Sequence, residues 1–275
     1  MTHEPPAPAP GPGGLAPAFA SGRPDAARWM LPSQSQAVFD GSLVDTRAFD
    51  LPRYLAVLPL FSDLSRPELE RLAQGCHLRR LVRGETLFRV GQPCEEFHVT
   101  VTGQVKLFAV SPAGQEKVIE LLGPGTSFAE ALMFTGQPYI INAQALTDSL
   151  VLSVGKQAVV QEIEQDARFA MRMLAGISRR LHGLVHDVQA YALHSGMQRV
   201  IGYLLRDQTA EDCVSGEVIT VSLPVSKAVI ASRLSLTPEY FSRVLHELED
   251  AKLIEVDKRD IHILDAGRLS RYPNP

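Results

Sequence analysis

The chain has 275 residues, 45% of them hydrophobic and 21% charged, with a formal net charge of −4. That length suits one large domain or two ordinary ones. No run approaches the ~20 apolar residues of a spanning helix, so no membrane partner is expected. Cys76, Cys94 and Cys213 are too few and too scattered for a disulfide framework, a cysteine zinc site or a four-thiolate iron–sulfur cluster.

The N-terminus carries no basic region followed by an apolar one, so a cytoplasmic location is expected. Eight of the 19 prolines fall within residues 1–32, among runs of Ala and Gly. Such a stretch cannot bury enough apolar surface to offset its ordering entropy. Residues 1–50 read as a disordered extension in which Trp29 and Met30 are exposed.

Residues 50–81 read as helical. Ser65 followed by Glu68 offers a capping box, and Leu64, Leu69, Leu72 and Ala73 recur at helical spacing. From about Arg79 the period changes to two. Phe97, Val99 and Val101 alternate with His98, Thr100 and Thr102, which places His98 away from the apolar face. Segments at 105–109, 118–122, 140–146 and 150–154 continue the series between regularly spaced glycines. About eight such strands predict a β-roll of jelly-roll type, and 51–156 is read as a sensor domain.

Residues 157–193 contain no proline and predict one long helix. Its apolar stripe runs Phe169, Met173, Ile177, Leu181, Leu184, Val188 and Tyr191. A single narrow stripe on so long a helix fits a seam against a second copy, with Met173, Ile177, Leu181, Leu184 and Val188 at its centre.

Residues 194–275 predict a helix at 198–206, a strand at 218–223, a short helix at 226–234 and a tight connection at 235–237. A second helix follows, capped by Thr237 with Pro238 first, and then a hairpin around 257–260. That order is a winged helix-turn-helix, so the fold class is α+β. The second helix buries Phe241, Val244, Leu245 and Leu248. Its other face presents Glu239, Ser242 and Arg243 at i, i+3 and i+4, at the end that enters a major groove. Arg pairs with guanine O6 and N7, Glu accepts from cytosine N4, and Ser bonds either way. Lys227, Arg233, Thr237, Tyr240, Lys258 and Arg259 are candidates for the DNA backbone.

The stretch 226–243, SKAVIASRLSLTPEYFSR, resembles the helix-turn-helix of the Crp/Fnr superfamily, and its Glu-x-x-Ser-Arg pattern resembles the Fnr-type branch. β-roll, long helix and winged helix also follow in the superfamily's order. The resemblance implies Glu239, Ser242 and Arg243 as readers of TTGAT-like half-sites in a palindrome, with RNA polymerase as a further partner. The stretch 127–134, SFAEALMF, with Ala143-Gln144-Ala145 and 112–117, PAGQEK, resembles the dissimilatory nitrate respiration regulators. That resemblance implies a nitric oxide signal received through haem and control of denitrification genes.

A cyclic-nucleotide cassette needs Gly-Glu and Arg-Ser pairs. Here Glu130 follows Ala129, Ile141-Asn142 stands where Arg-Ser would, and residues 118–155 hold no Lys or Arg. Cyclic AMP is therefore not expected. Phe128, Glu130, Leu132, Met133, Phe134, Tyr139 and Ile141 would line an effector space or simply fill the core. His77, His98, His182, His186 and His194 are candidate haem ligands, and the sequence does not choose among them. No catalytic constellation stands out, so no enzyme is expected. A cyclic-nucleotide regulatory module would not use the winged helix, and a cupin-type oxygenase would need clustered strand ligands. The acidic balance persists in residues 194–275, with 10 basic against 12 acidic residues. Recognition should thus rest on a correct site and on dimerisation.

Overall fold

The computed structural model describes residues 49–58, 60–61, 64–206 and 218–272. The predicted extension therefore falls outside the described residues except at its end, where Phe49 is buried with its ring 5.3 Å from that of Tyr54. Helix α1 (Leu51–Ala56) is capped by Asp50, and α2 (Arg66–Gln74) carries the expected box, with Ser65 N donating to Glu68 Oε2 at 2.6 Å. Helix does not continue to residue 81. Gly75 ends α2 and strand β1 (Cys76–Leu81) begins at once. A Cβ at Gly75 would stand 2.3 Å from that of Ala158, so a close helix contact fixes the break there.

Strands β2 (Thr86–Phe88), β3 (Glu96–Thr102), β4 (Val105–Val110), β5 (Glu116–Leu122), β6 (Ser127–Phe128), β7 (Asn142–Ala145) and β8 (Ser149–Gly155) complete the roll. They form two antiparallel four-stranded sheets, β1-β8-β3-β6 and β2-β7-β4-β5. A short helix, α3 (Glu130–Thr135), joins β6 to β7. Both faces of β3 are buried. Phe97 packs outward against Phe61, which in turn stacks on Phe169 of the long helix. His98 and Thr100 point between the sheets and are 4% and 0% exposed. This corrects the expectation for His98: the polar row faces the interior of the roll, because helices cover the other face.

The long helix is broken near its start. Helix α4 (Lys156–Gln165) ends at Asp166, whose extended backbone and side chain then cap α5 (Ala167–Leu193), accepting from Arg168 N at 3.0 Å. The 27 residues of α5 span about 40 Å. Phe169 and Met173 belong to the sensor core. Beyond them the stripe leaves its own domain, with Ile177 half-buried, Leu184 exposed, and Leu181 and Val188 59% and 65% exposed.

The C-terminal unit contains α6 (Gly196–Leu205), β9 (Ile219–Ser222), α7 (Lys227–Arg233), α8 (Pro238–Asp250), β10 (Ile254–Asp257), β11 (Asp260–Ile263) and α9 (Ala266–Arg271). Strands pair in the order β10-β11-β9, so the strand before the helix-turn-helix completes the sheet of the wing. Phe241, Val244, Leu245 and Leu248 sit in a second core with Ile230, Ala231, Ile261 and Leu269.

Candidate nucleic-acid interface and effector cavity

The turn between α7 and α8 is built by local chemistry. Ser235 takes φ +56°, and Leu236 N donates back to Ala231 O at 2.9 Å. Thr237 Oγ1 accepts from Tyr240 N at 3.2 Å and so caps α8, with Pro238 in the first turn where no N–H is missed. Glu239, Ser242 and Arg243 are all exposed on the first turns of α8, as the spacing predicts. His246, also exposed, lies 3.6 Å from Glu249. A concavity of about 450 Å³ at this end of α8 is lined in part by Arg199, Thr237, Glu239 and Arg243.

The expected backbone contacts divide. Lys258 and Arg259 are exposed at the tip of the wing, between the closing pair Asp257 and Asp260. Thr237 is exposed, while Lys227 and Tyr240 are half-buried. Tyr240 lies against the start of α6, where a Cβ on Gly196 would come within 2.5 Å of its ring. Arg233 is turned inward. Its side chain is 15% exposed, and Nη2 lies 2.5 Å from Asp187 Oδ2 of α5.

Inside the roll, His98 anchors a polar chain in an aromatic box. Its Nδ1 lies 2.8 Å from Ser153 Oγ and its Nε2 lies 3.0 Å from the Tyr139 hydroxyl, which also donates to Glu96 O at 3.2 Å. With Tyr139 donating to Glu96, the chain is satisfied when His98 Nε2 carries the proton and Ser153 donates to Nδ1. Phe88 stacks on Tyr139 at 3.7 Å between centroids, and Phe128 lies 5.3 Å from His98. Burial pushes the imidazole down to about 3 and raises the Tyr139 phenol and the Cys94 thiol above their ordinary ranges. Burial likewise pushes the Cys76 thiol up to about 12.

A cavity of about 300 Å³ opens beside this chain, lined by His77, Arg79, Phe88, Glu96, Tyr139 and Ser153 among others. Of the residues expected to line an effector space, Tyr139 alone borders it. Phe128 and Met133 are buried, while Leu132 and Ile141 are half-buried against the sensor core. Phe134 is exposed on α3. Glu130 is buried and accepts from Ser127 Oγ. The preceding Ala129 adopts φ +71°, a left-handed conformation suited to glycine. Phe88 and Ser153 were missed as chamber residues, and His98 was carried only as one of five candidate haem ligands. Only knowledge that both faces of β3 are covered would have found them.

Residues 78–166 match the family model for a cyclic nucleotide-binding domain and residues 198–272 that for a Crp-like helix-turn-helix domain. A regulatory protein of known structure from Silicibacter pomeroyi DSS-3 is 30% identical, with 81% of this chain and 100% of that one covered and a TM-score of 0.56. The chain belongs to the Crp/Fnr family. Two other Crp/Fnr-like proteins are similar. The global nitrogen regulator of Nostoc sp. is 29% identical over 194 residues, 69% of this chain and 86% of that protein. DNR from Pseudomonas aeruginosa is 35% identical, with 80% of this chain and 96% of that one covered and a TM-score of 0.44.

As a Crp/Fnr chain, the protein is a DNA-binding transcription regulator. The roll interior does not fit a haem as it stands. Its cavity is at the small end of ligand pockets, and both nitrogens of His98 are engaged. His77 sits at the mouth, 3.6 Å from Glu96, while His182 and His186 are exposed one turn apart on α5. Among the described residues, no helix is long and apolar enough to cross a membrane.

Proposed function

We propose that the protein works as a homodimer that reads a palindrome of TTGAT-like half-sites under the control of a small effector. The observation that carries this reading is the coexistence of two surfaces that are exposed among the described residues. One is the apolar stripe of α5 beyond Ile177; the other is the exposed set Glu239, Ser242 and Arg243. Pairing two α5 helices would bury the first and place two copies of the second on neighbouring turns of DNA. An effector would act by favouring one packing of those helices over another. RNA polymerase would be the partner that reads the bound dimer.

Nitric oxide is the signal implied by the likeness to the nitrate respiration regulators, and cyclic AMP is not. Residues 118–155 offer a cyclic phosphate no local cation. Haem, if it carries the signal, would be held outside the roll interior, with His182 and His186 the exposed candidates beside the seam. The test pairs a gel shift on a TTGAT palindrome and its scrambled version with anaerobic absorption spectra after haem and then nitric oxide. The reading expects a shift on the palindrome alone and a Soret band that moves with nitric oxide. Equal shifts would remove the palindrome, and no Soret band would remove haem.

A further inference from the structure

The C-terminal end of α7 is bolted to the rest of the chain. Three successive carbonyls there have left the helix ladder, and each has a donor from another element. Ser232 O accepts from Lys117 Nζ of β5, and Ser232 Oγ accepts from Val118 N at 3.0 Å. Arg233 O accepts from the Tyr191 hydroxyl of α5 at 2.6 Å. Leu234 O accepts from Arg199 Nη1 of α6 at 2.8 Å. The Arg233 guanidinium closes the set, with Nη2 on Asp187 at 2.5 Å and Nη1 donating to the Tyr191 hydroxyl. Leu121 and Leu146 of the roll pack against the core of the DNA-binding unit beside it. Sensor, long helix and reader thus meet at one turn of one helix.

This arrangement leaves the reading residues of α8 exposed but withdraws Arg233. The first helix of a helix-turn-helix crosses the DNA backbone, so an Arg at its end is placed to contact phosphate. While both terminal nitrogens serve Asp187 and Tyr191, that contact is not made. We propose that the Arg233–Asp187 pair is an autoinhibitory latch, which holds the helix-turn-helix against α5, beside the Lys117 contact with the roll, and must open for full DNA affinity.

Two features make the latch reversible. Lys117 and Arg199 lie 5.4 and 5.9 Å from the centroid of the Tyr191 ring, so two further cations crowd around Arg233, which alone is paired with Asp187 in this set. Arg199 Nε, moreover, is buried without a hydrogen-bond partner in the docked state, a penalty that opening would relieve. A phosphate exchanges for Asp187 as one charge-assisted partner for another.

The inference rests on DNA binding by the helix-turn-helix, and its test separates the two. Binding of the full chain to a palindromic and a random duplex is measured between 50 and 300 mM salt for wild type, Asp187→Asn and Lys117→Gln. Each substitution should tighten binding to both duplexes, by about tenfold for one charge-assisted contact. The slope of log K against log salt should steepen by about 0.9 per protomer. Arg233→Gln in the Asp187→Asn background should cancel both changes. Lys117→Gln lies on the roll and keeps the test valid if the helix variant misfolds. Wild type binding DNA as tightly as both variants, with equal slopes, would overturn the latch alone. No binding by any form at any salt would overturn the DNA reading with it.

Discussion

His98 Nε2 lies 3.0 Å from the Tyr139 hydroxyl in the interior of the roll, and burial holds that imidazole neutral with a pKa of about 3. In the unfolded chain it would titrate near 6.5. The folded state therefore binds fewer protons between those values. Stability is fully present above pH 6.5 and is lost as the pH falls towards 3, by about 2 kcal/mol at pH 5. Urea unfolding at pH 7 and pH 5 checks this. His98→Gln should be less stable at pH 7 yet lose less between the two values, and an equal loss in both proteins would contradict the assignment.

Ala129 occupies a left-handed conformation at φ +71° just before the buried Glu130. A non-glycine residue there costs roughly 1–2 kcal/mol, partly offset by the greater freedom of an unfolded glycine. Ala129→Gly should therefore stabilise the roll by about 0.5–1 kcal/mol, seen as a higher Tm. A lower Tm would show that the Cβ of Ala129 contributes packing that outweighs the strain.

The capping box at Ser65 and the Thr237–Pro238 start of α8 were legible because short-range hydrogen bonds decide them. The α5 stripe and the exposed Glu239, Ser242 and Arg243 were legible because helical spacing fixes which side chains share a face. Position 98 was not, since period two separates two faces without saying what covers each. The break at Asp166 was hidden because residues 157–193 hold no proline, and a capping Asp inside a polar stretch reads as one more exposed helix residue. Arg233 looked like a surface cation, and only the docking of α7 beside Asp187 reveals its partner.

Leu181 is 59% exposed on α5. In the proposed dimer both copies bury it, for ~1.5–3 kcal/mol each. Leu181→Glu should weaken self-association at least about a hundredfold while leaving the thermal unfolding of the roll intact. Sedimentation over a concentration series reads the change, and an unaltered dimer would place the seam elsewhere.

Arg243 and Lys258 should fail differently. Arg243→Ala should lose ~1–3 kcal/mol on the cognate palindrome and relax discrimination at one guanine per half-site. Lys258→Ala at the exposed wing tip should weaken binding to all duplexes alike and lower the salt slope by about one unit per protomer contact. Identical behaviour of the two variants on cognate and scrambled duplexes would remove the distinction between reader and anchor.

The central claim, a paired reader on a palindrome, is tested most directly by stoichiometry. Sedimentation of the full chain with a duplex holding two TTGAT half-sites, one half-site or none should give two protomers per two-site duplex. Affinity should fall by at least about tenfold on removing one half-site. A single protomer bound with equal affinity to all three duplexes would contradict the account.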